Sequence, residues 1–453
     1  MAQITLAQAA LWCGGTIDPK YADVSFLGAN NDSRKVEPGQ LFVALQGARD
    51  GHDFIPMALE KGAAAVLCTH CDGDYPAIVV EDTRIALGKI AKGERERIGM
   101  KVVGVTGSVG KSTTKEMIAA VLETTYRVAK TPANHNNDIG MPMAILSIPE
   151  DTEVAVLEMG MNHFREIAYL TSIGQPDLAV IINIGTMHIE HLGSREGIRT
   201  AKLEILEGLR PGGKILLNGD DELLWQVREQ LQVPSVYFGA DNDSCAVKGS
   251  DVVMNEDGLS FRVTAGQETF SVSLALEGKH YLLDALAAVS AGLQLGVTPE
   301  RIADALGRFR NMAGRQEIFE NNGITIIKDC YNAGPESMAA ALTVLEKKSG
   351  RRIAVLGDML ELGKCAPAEH YRIGRIAAEC ADMLFAYGPN GQRVVSGAVT
   401  GGMSAERALA FDDRVQLAAT LKSHAKPGDV LLFKGSHGMH MELALELFLS
   451  SEA

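Results

Sequence analysis

No run of about 18 apolar residues occurs anywhere in the chain, so no membrane-crossing helix is expected. The segment Met1 to Gly15 has no basic start followed by a long apolar stretch, so no secretory signal is expected either. No Lys/Arg stripe forms. The basic cluster from Arg95 to Lys101 alternates with Glu, and the formal net charge is −14. Both features argue against nucleic acid as a partner. The seven cysteines are odd in number and scattered. Cys68 and Cys71 form a single C-x-x-C, with no second pair and no nearby His-x-x-x-His, which speaks against zinc. There is no internal repeat and no low-complexity tract. What remains is a composition of 46% hydrophobic and 22% charged residues, ordinary for a soluble protein. A reducing cytoplasm is the expected location. A length of 453 residues exceeds one ordinary core, so several domains are expected.

The most informative segment runs from Val102 to Thr113. An apolar strand enters a glycine turn, and a Lys-Ser pair then opens a helix. Backbone N–H groups in such a turn hold phosphate oxygens, aided by the positive end of the helix dipole. The pattern is a short one, G-x-x-G-K-S, because Val105 stands where a first glycine is usual. In this pattern Lys111 reaches the outer phosphates and the Ser112 hydroxyl ligates Mg²⁺. A nucleotide-driven switch or motor finds no support, since neither Asn-Lys-x-Asp nor Leu-Ser-Gly-Gly-Gln occurs.

Around this loop the chain reads as three α/β units, 1–99, 100–312 and 313–453. The first alternates short strands (Leu41–Leu45, Ala64–Cys68, Ala77–Val80) with helical stretches. The second carries Val102–Val105, Val154–Leu157, Leu178–Ile182 and Lys214–Leu217, continuous apolar runs typical of parallel strands buried on both faces. An alternating stretch, Ser260–Leu274, reads as antiparallel, and an alanine-rich helix follows from Tyr281 to Gly296. The third unit repeats the strand–helix rhythm with Ile324–Ile327, Ile353–Leu356, Met383–Phe385 and Val430–Phe433, a second doubly wound sheet.

Several residues stand where chemistry is expected. Glu158 follows an apolar strand, where a carboxylate meets a phosphate-bound Mg²⁺, or is simply solvated. His188 emerges after Leu178–Ile182 on the same edge, with Glu190 and His191 beside it but no His-Glu-x-x-His helix. Lys202 falls inside the apolar stripe Ile198, Ile205, Leu206, Leu209 of a helix spanning Ser194 to Leu209. Its ammonium either snorkels to the edge or is paired or chemically altered near the phosphate site. The polar segment Asn134 to Gly140 is a ligand-holding turn or a plain loop. Three polar strand tips, Asp329–Pro335, Gly357–Gly363 and Lys434–His437, suggest a surface that closes over the nucleotide.

These segments together resemble the Mur ligases, ATP-dependent enzymes that add amino acids to the peptidoglycan precursor. The resemblance spans nearly the whole chain. It is carried by Asp32-Ser33-Arg34, Pro38 to Gly47, Gly51-His52-Asp53-Phe54, Asp82-Thr83-Arg84, Thr106 to Ser112, Asn134 to Pro142 and Asp329 to Pro335. The Asn-rich segment is similar to that of the branch adding D-alanyl-D-alanine to a UDP-N-acetylmuramoyl-tripeptide.

The resemblance implies an N-terminal UDP-substrate domain, a central P-loop domain with a parallel sheet and a C-terminal Rossmann-like domain. It implies ATP held by Thr106, Gly107, Ser108, Gly110, Lys111, Ser112 and Thr113, with Arg315, Asp329, Tyr331 and Asn332 from the hinge and third domain. Mg²⁺ falls to Ser112, Glu158 and His188, and Lys111, His188 and Lys202 are the catalytic set. Lys202 matches a lysine that carries a CO₂-derived carbamate, whose negative charge suits Mg²⁺ where an ammonium does not. Ser33, Arg34, Asn136 and Asn137 belong to the UDP-linked substrate. A monomer without membrane insertion is expected. Two departures stand out. His280 keeps the first position of an adenine-side His-Asn-x-x-Asn-Ala segment, but Tyr281 and Asp284 replace its amides. His437 replaces the arginine of Lys-Gly-Ser-Arg.

Overall fold

The computed structural model describes residues 3–255, 258–312 and 314–450; Ala313, beside the expected hinge arginine, lies outside them. The first unit pairs Ile4–Thr5 with Ser25–Phe26 as an antiparallel ribbon. Its main sheet is parallel, in the order Ala29–Asn30, Leu41–Val43, Ala65–Cys68, Ala77–Val79. Asp82 then caps a helix, Thr83–Ile98, by accepting from the N–H groups of Arg84 and Ile85 at 2.8 and 3.0 Å. Gly99, at φ 72°, ends it in the left-handed conformation.

The second sheet runs Glu268–Leu274, Gly258–Ala265, Val247–Asn255, Ser235–Gly239, Lys214–Asn218, Leu178–Ile181, Lys101–Thr106, Val154–Glu158, Val128–Lys130. Lys101–Thr106 is flanked on both sides by parallel partners, with Thr106 opposite Ile181 and Val105 opposite Glu158. Its side chains alternate between two cores: Val102 joins one cluster, Val103 and Val105 the other. Burial on both faces is why the strand is an unbroken apolar run. The alternating stretch Ser260–Leu274 is the hairpin Gly258–Ala265/Glu268–Leu274. Val247–Asn255, which precedes it, is exposed along its second half, Val252, Val253 and Met254 included, and carries a bulge between Ser250 and Val253. The helix expected over Ser194–Leu209 is Arg195–Leu203, continued as a 3₁₀ turn over Glu204–Gly208.

The third sheet is ordered Glu317–Asn321, Ile324–Asp329, Val430–Lys434, Arg352–Gly357, Met383–Tyr387, Ala408–Phe411. The first strand is antiparallel and the others are parallel. Apolar clusters cover both faces. The four expected strands are present, and two edge strands are added to them, Glu317–Asn321, polar and largely exposed, and Ala408–Phe411, short and apolar. No helix of the described residues is long and apolar enough to cross a membrane.

The two junctions between units differ. One continuous apolar cluster joins Leu6, Leu87 and Ile90 of the first unit to Val102, Leu157 and Ile181 of the second. Arg95 pins the same junction. It is buried, and it donates to the carbonyls of Gly174 and Gln175 at 3.0 and 2.9 Å and to Asp177 at 3.3 Å. Among the described residues no such apolar cluster bridges the second and third units. Arg95→Ala leaves two carbonyls without their guanidinium donor and leaves the Asp177 carboxylate only the Val102 N–H and a distant Arg210. It should cost about 2–4 kcal/mol in the first transition of a denaturant titration.

Candidate active site

The parallel register brings the tips of Lys101–Thr106, Val154–Glu158 and Leu178–Ile181 to one edge of the central sheet. There a cavity of about 360 Å³ opens between the second and third units. The chain leaves Lys101–Thr106 through Gly107 to Gly110 and enters the helix Lys111–Glu123. Gly110 sits at φ 87°, and a Cβ there would lie 2.4 Å from Oδ1 of Asp284; only glycine fits. Asn183, at the next strand tip, shapes the loop. Its Oδ1 accepts from the N–H groups of Ser108 and Val109 at 3.0 and 2.9 Å, and its amide donates to the Val109 carbonyl.

Lys111 donates to the carbonyls of Gly107 and Ser108 at 2.8 and 3.3 Å. Burial pulls its pKa down, against the pull of Glu158. The Ser112 hydroxyl accepts from the Arg315 guanidinium at 2.8 Å, and that guanidinium stacks 4.1 Å over the Tyr331 ring. Thr106 is buried behind the loop, and Thr113 lines the cavity.

Glu158 is almost wholly buried. Its N–H donates to Thr131 Oγ1 at 3.0 Å, and Lys115 holds the Thr131 carbonyl at 2.6 Å. One carboxylate oxygen accepts from the Asn136 amide at 2.8 Å. The other, Oε2, is buried without a hydrogen-bond partner. An unpaired buried carboxylate oxygen is costly unless a cation or donor arrives. Among the described residues no group of three or more His, Cys, Asp and Glu forms a complete metal cage. Ser112 and His188 line the same cavity as Glu158.

His188 lines the cavity, and its Nδ1 lies 2.5 Å from Glu361 of the third unit. Burial lowers its pKa despite that carboxylate. Lys202 is buried in the stripe with Ile198 and Ile205. It has no hydrogen bond or ion pair among the described residues. Desolvation first, then the nearby Lys111, drives its pKa well below the usual lysine value. It stands behind the cavity rather than in its lining.

From the third unit come Asp329, Tyr331, Asn332 and Lys434, and from the second His280, the first residue of the helix His280–Gln294. Lys434 bonds Asp329 at 2.6 Å and the Asn332 carbonyl at 3.0 Å. Ser436 donates to the Ala333 carbonyl and accepts from the Leu360 N–H, so the three polar strand tips are laced together. Burial holds His280 down to about 4, a neutral imidazole.

The two replaced amides have local work. Tyr281 donates to Gln316 at 2.8 Å and accepts from Asn311 at 2.7 Å, which tethers the connector that carries Arg315. Asp284 accepts from Thr114 at 3.0 Å directly behind the phosphate loop.

Of the residues expected to hold the UDP-linked substrate, Asn136 lines the cavity and Asn137 does not. Asn137 accepts from the N–H groups of Ile139 and Gly140 and starts the helix Gly140–Leu146. Ser33 and Arg34 lie in the first unit, away from the cavity, with Arg34 paired to Asp32 at 2.9 Å. Asn183, Glu336 and Glu361 are additions to the set read from sequence. Asn183 alone carried a signal, as a polar residue directly after the apolar run Leu178–Ile182.

Burial raises Asp284 to about 7, against about 3.9 in an unfolded chain. An acid shifted upward favours the folded state while protonated. Its contribution is complete below about pH 4 and is lost as pH rises through about 7. Asp284→Asn keeps an acceptor for Thr114 and never ionises. Between pH 5 and 8 it should therefore lose roughly 2 kcal/mol less stability than the wild type, read from denaturant midpoints at each pH.

Three family models match the chain. They are described as "Mur ligase family, catalytic domain" over residues 24–95, "Mur ligase middle domain" over 105–292 and "Mur ligase, glutamate ligase domain" over 314–437. Among curated proteins, the UDP-N-acetylmuramoyl-tripeptide--D-alanyl-D-alanine ligase of Bacillus subtilis (strain 168) is 40% identical over 452 residues, covering 98% of this chain and 97% of its own. The protein of the same name from Escherichia coli (strain K12) is 34% identical over 453 residues, with the same coverage. Among solved structures, MurF from Acinetobacter baumannii has a TM-score of 0.91 at 31% identity, with 100% of both chains covered. MurF ligase from Thermotoga maritima in complex with ADP has a TM-score of 0.81 at 31% identity, covering 93% of this chain and 97% of its own. With a phosphate loop, a buried carboxylate and third-domain strand tips around one cavity, and with relatives matched end to end, the chain belongs to the Mur ligase family.

Proposed function

We infer that the chain joins D-alanyl-D-alanine to UDP-N-acetylmuramoyl-tripeptide, forming a peptide bond of the peptidoglycan precursor as ATP is cleaved to ADP and phosphate. One observation carries this reading. The phosphate loop, Glu158 and the third-unit strand tips face a single cavity, in a chain matched over 98% of its length by a relative named for that reaction. The terminal carboxylate of the tripeptide attacks the γ-phosphoryl group, ADP leaves and an acyl phosphate forms. The dipeptide amine then adds to that carbonyl, and the tetrahedral intermediate expels phosphate and loses a proton.

The residues divide this work by charge and position. Lys111 exchanges the carbonyls of Gly107 and Ser108 for phosphoryl oxygens, a stronger, charge-assisted contact. Thr106, Gly107, Ser108, Gly110 and Thr113 shape the cradle, and the first-turn N–H groups of the helix complete it. Arg315 moves from the Ser112 hydroxyl toward the phosphates. His280, Asp329, Tyr331 and Asn332 form the facing wall. Ser112, Glu158 and His188 would hold Mg²⁺, a hard cation suited to the unpaired Glu158 oxygen. When bound, the ion offsets charge on the transferring phosphoryl group. Docking of the third unit (313–453) on the second (100–312) keeps water from the acyl phosphate. The first unit (1–99) takes the uridine end near Ser33 and Arg34, and Asn136 and Asn137 lie toward the rest of the substrate.

Lys202 is suited to carry a carbamate. Its buried amine is held neutral, and a neutral amine adds to CO₂ to give an N-carboxylate and a proton. The modified side chain then brings an anion beside Lys111 instead of a second cation.

Phosphate release with purified UDP-tripeptide, with and without D-alanyl-D-alanine, tests the reaction. Release that ignores either substrate overturns it. Lys111→Ala should lower turnover by about a hundredfold or more, and near-normal ADP formation would sink the loop assignment. Lys202→Ala should be nearly inactive, and small carboxylates should restore part of its activity. Lys202→Arg should fail, because it keeps positive charge and cannot take up CO₂. A fully active Lys202→Arg enzyme ends the carbamate reading.

A further inference from the structure

The loop that carries His188 is gripped by the third unit at two points. Glu336 accepts from the N–H and hydroxyl of Thr186 at 3.0 and 2.9 Å. Its carboxyl lies where a Cβ on Gly185 would meet it at 2.9 Å. Glu361 reaches Nδ1 of His188 at 2.5 Å. His188 lines the cavity and Glu361 does not. The other ring nitrogen, Nε2, has no partner among the described residues.

The backbone at both residues is unusual. His188 lies at φ 64° and Glu361 at φ 61°, the left-handed region that disfavours residues with a Cβ. Each such residue costs about 1–3 kcal/mol. A partly exposed contact of this kind returns no more than the about 0–1 kcal/mol of a surface ion pair, and the Glu361 side chain is 42% exposed. The pair therefore does not offset the strain that creates it, and stability is no reason for the arrangement. Its geometric effect is specific. A carboxylate on Nδ1 keeps the proton there, fixes the ring plane and leaves Nε2 as the ring's free acceptor.

We propose that Glu361 is the positioning residue that sets the tautomer and direction of the His188 ring, so that docking of the third unit completes the centre on the second. The inference rests on the reading in which His188 works at the cavity. It makes the reactive geometry conditional on a residue 173 positions away, on a different sheet.

The variant of choice is Glu361→Gly. It removes the carboxylate and suits the left-handed backbone, so folding is not endangered. Ring nitrogens are followed by NMR in the ¹⁵N-histidine-labelled full chain, with the His188 signals assigned by their loss in His188→Gln. The wild type should show a neutral ring protonated at Nδ1. Glu361→Gly should shift the proton toward Nε2, lower kcat by about tenfold or more and leave the KM for ATP within about threefold. Glu361→Gln keeps an acceptor oxygen at the same reach and should restore both the tautomer and most of kcat. An unchanged ring signature in Glu361→Gly, or a kcat within about twofold of wild type, overturns the proposal. If His188→Gln itself keeps full turnover, the assignment of His188 to the reaction falls. The ring signature alone then decides whether Glu361 positions it.

Discussion

Everything at this centre depends on the parallel ladders on either side of Lys101–Thr106. A parallel register cannot slip by one residue without exchanging the two buried faces, and here both faces are core. The pairing of Val105 with Glu158 and of Thr106 with Ile181 is therefore fixed by apolar packing. The phosphate loop, the buried carboxylate and the Asn183 tip then project from one edge, with no polar contact needed to bring them together. Polar contacts act at the next level. Asn183 shapes the loop, and Thr131 with Lys115 fixes the backbone that presents Glu158.

The second constraint is electrostatic. Lys111, Lys202 and Arg315 gather around a cavity whose central carboxylate, Glu158, has one oxygen unpaired. In a partly desolvated site each cation needs a compensating partner, and the other carboxylates of the cavity, Asp284, Asp329 and Glu336, are engaged by Thr114, Lys434 and Thr186. The protein meets that need internally. Lys111 turns to loop carbonyls, Arg315 turns to a hydroxyl and an aromatic face, and burial pushes the Lys202 amine toward its neutral form. Each of these arrangements is replaceable by contact with an anionic ligand, which is the chemical character of a polyphosphate site.

The central strands were legible because burial on both faces writes itself as an unbroken run of Val, Ile and Leu. Lys202 was legible as an anomaly for the same reason, a cation inside an apolar stripe. Glu317–Asn321 left no such mark because it is polar and half-exposed, Ala408–Phe411 is apolar but only four residues long, and Val247–Asn255 is exposed along its second half and holds a bulge. Tyr281 and Asp284 could be seen as departures. Their tasks, a tether on the connector and a prop behind Gly110, depend on neighbours distant in the chain. Glu361 read only as part of a turn, because its meaning lies in a partner on another sheet.

The unlike junctions have a physical consequence of their own. The first and second units share a greasy seam nailed by a buried guanidinium. The second and third meet through exposed carboxylates, Glu336 in the first turn of the helix Pro335–Glu346 and Glu361 on a loop. Apolar seams weaken on cooling and ignore salt, whereas exposed charge contacts are screened within about 8 Å at physiological ionic strength. Temperature and salt thus address different joints of the same molecule. Cold loosens the joint behind the substrate domain, and salt loosens the one that opens the nucleotide cavity.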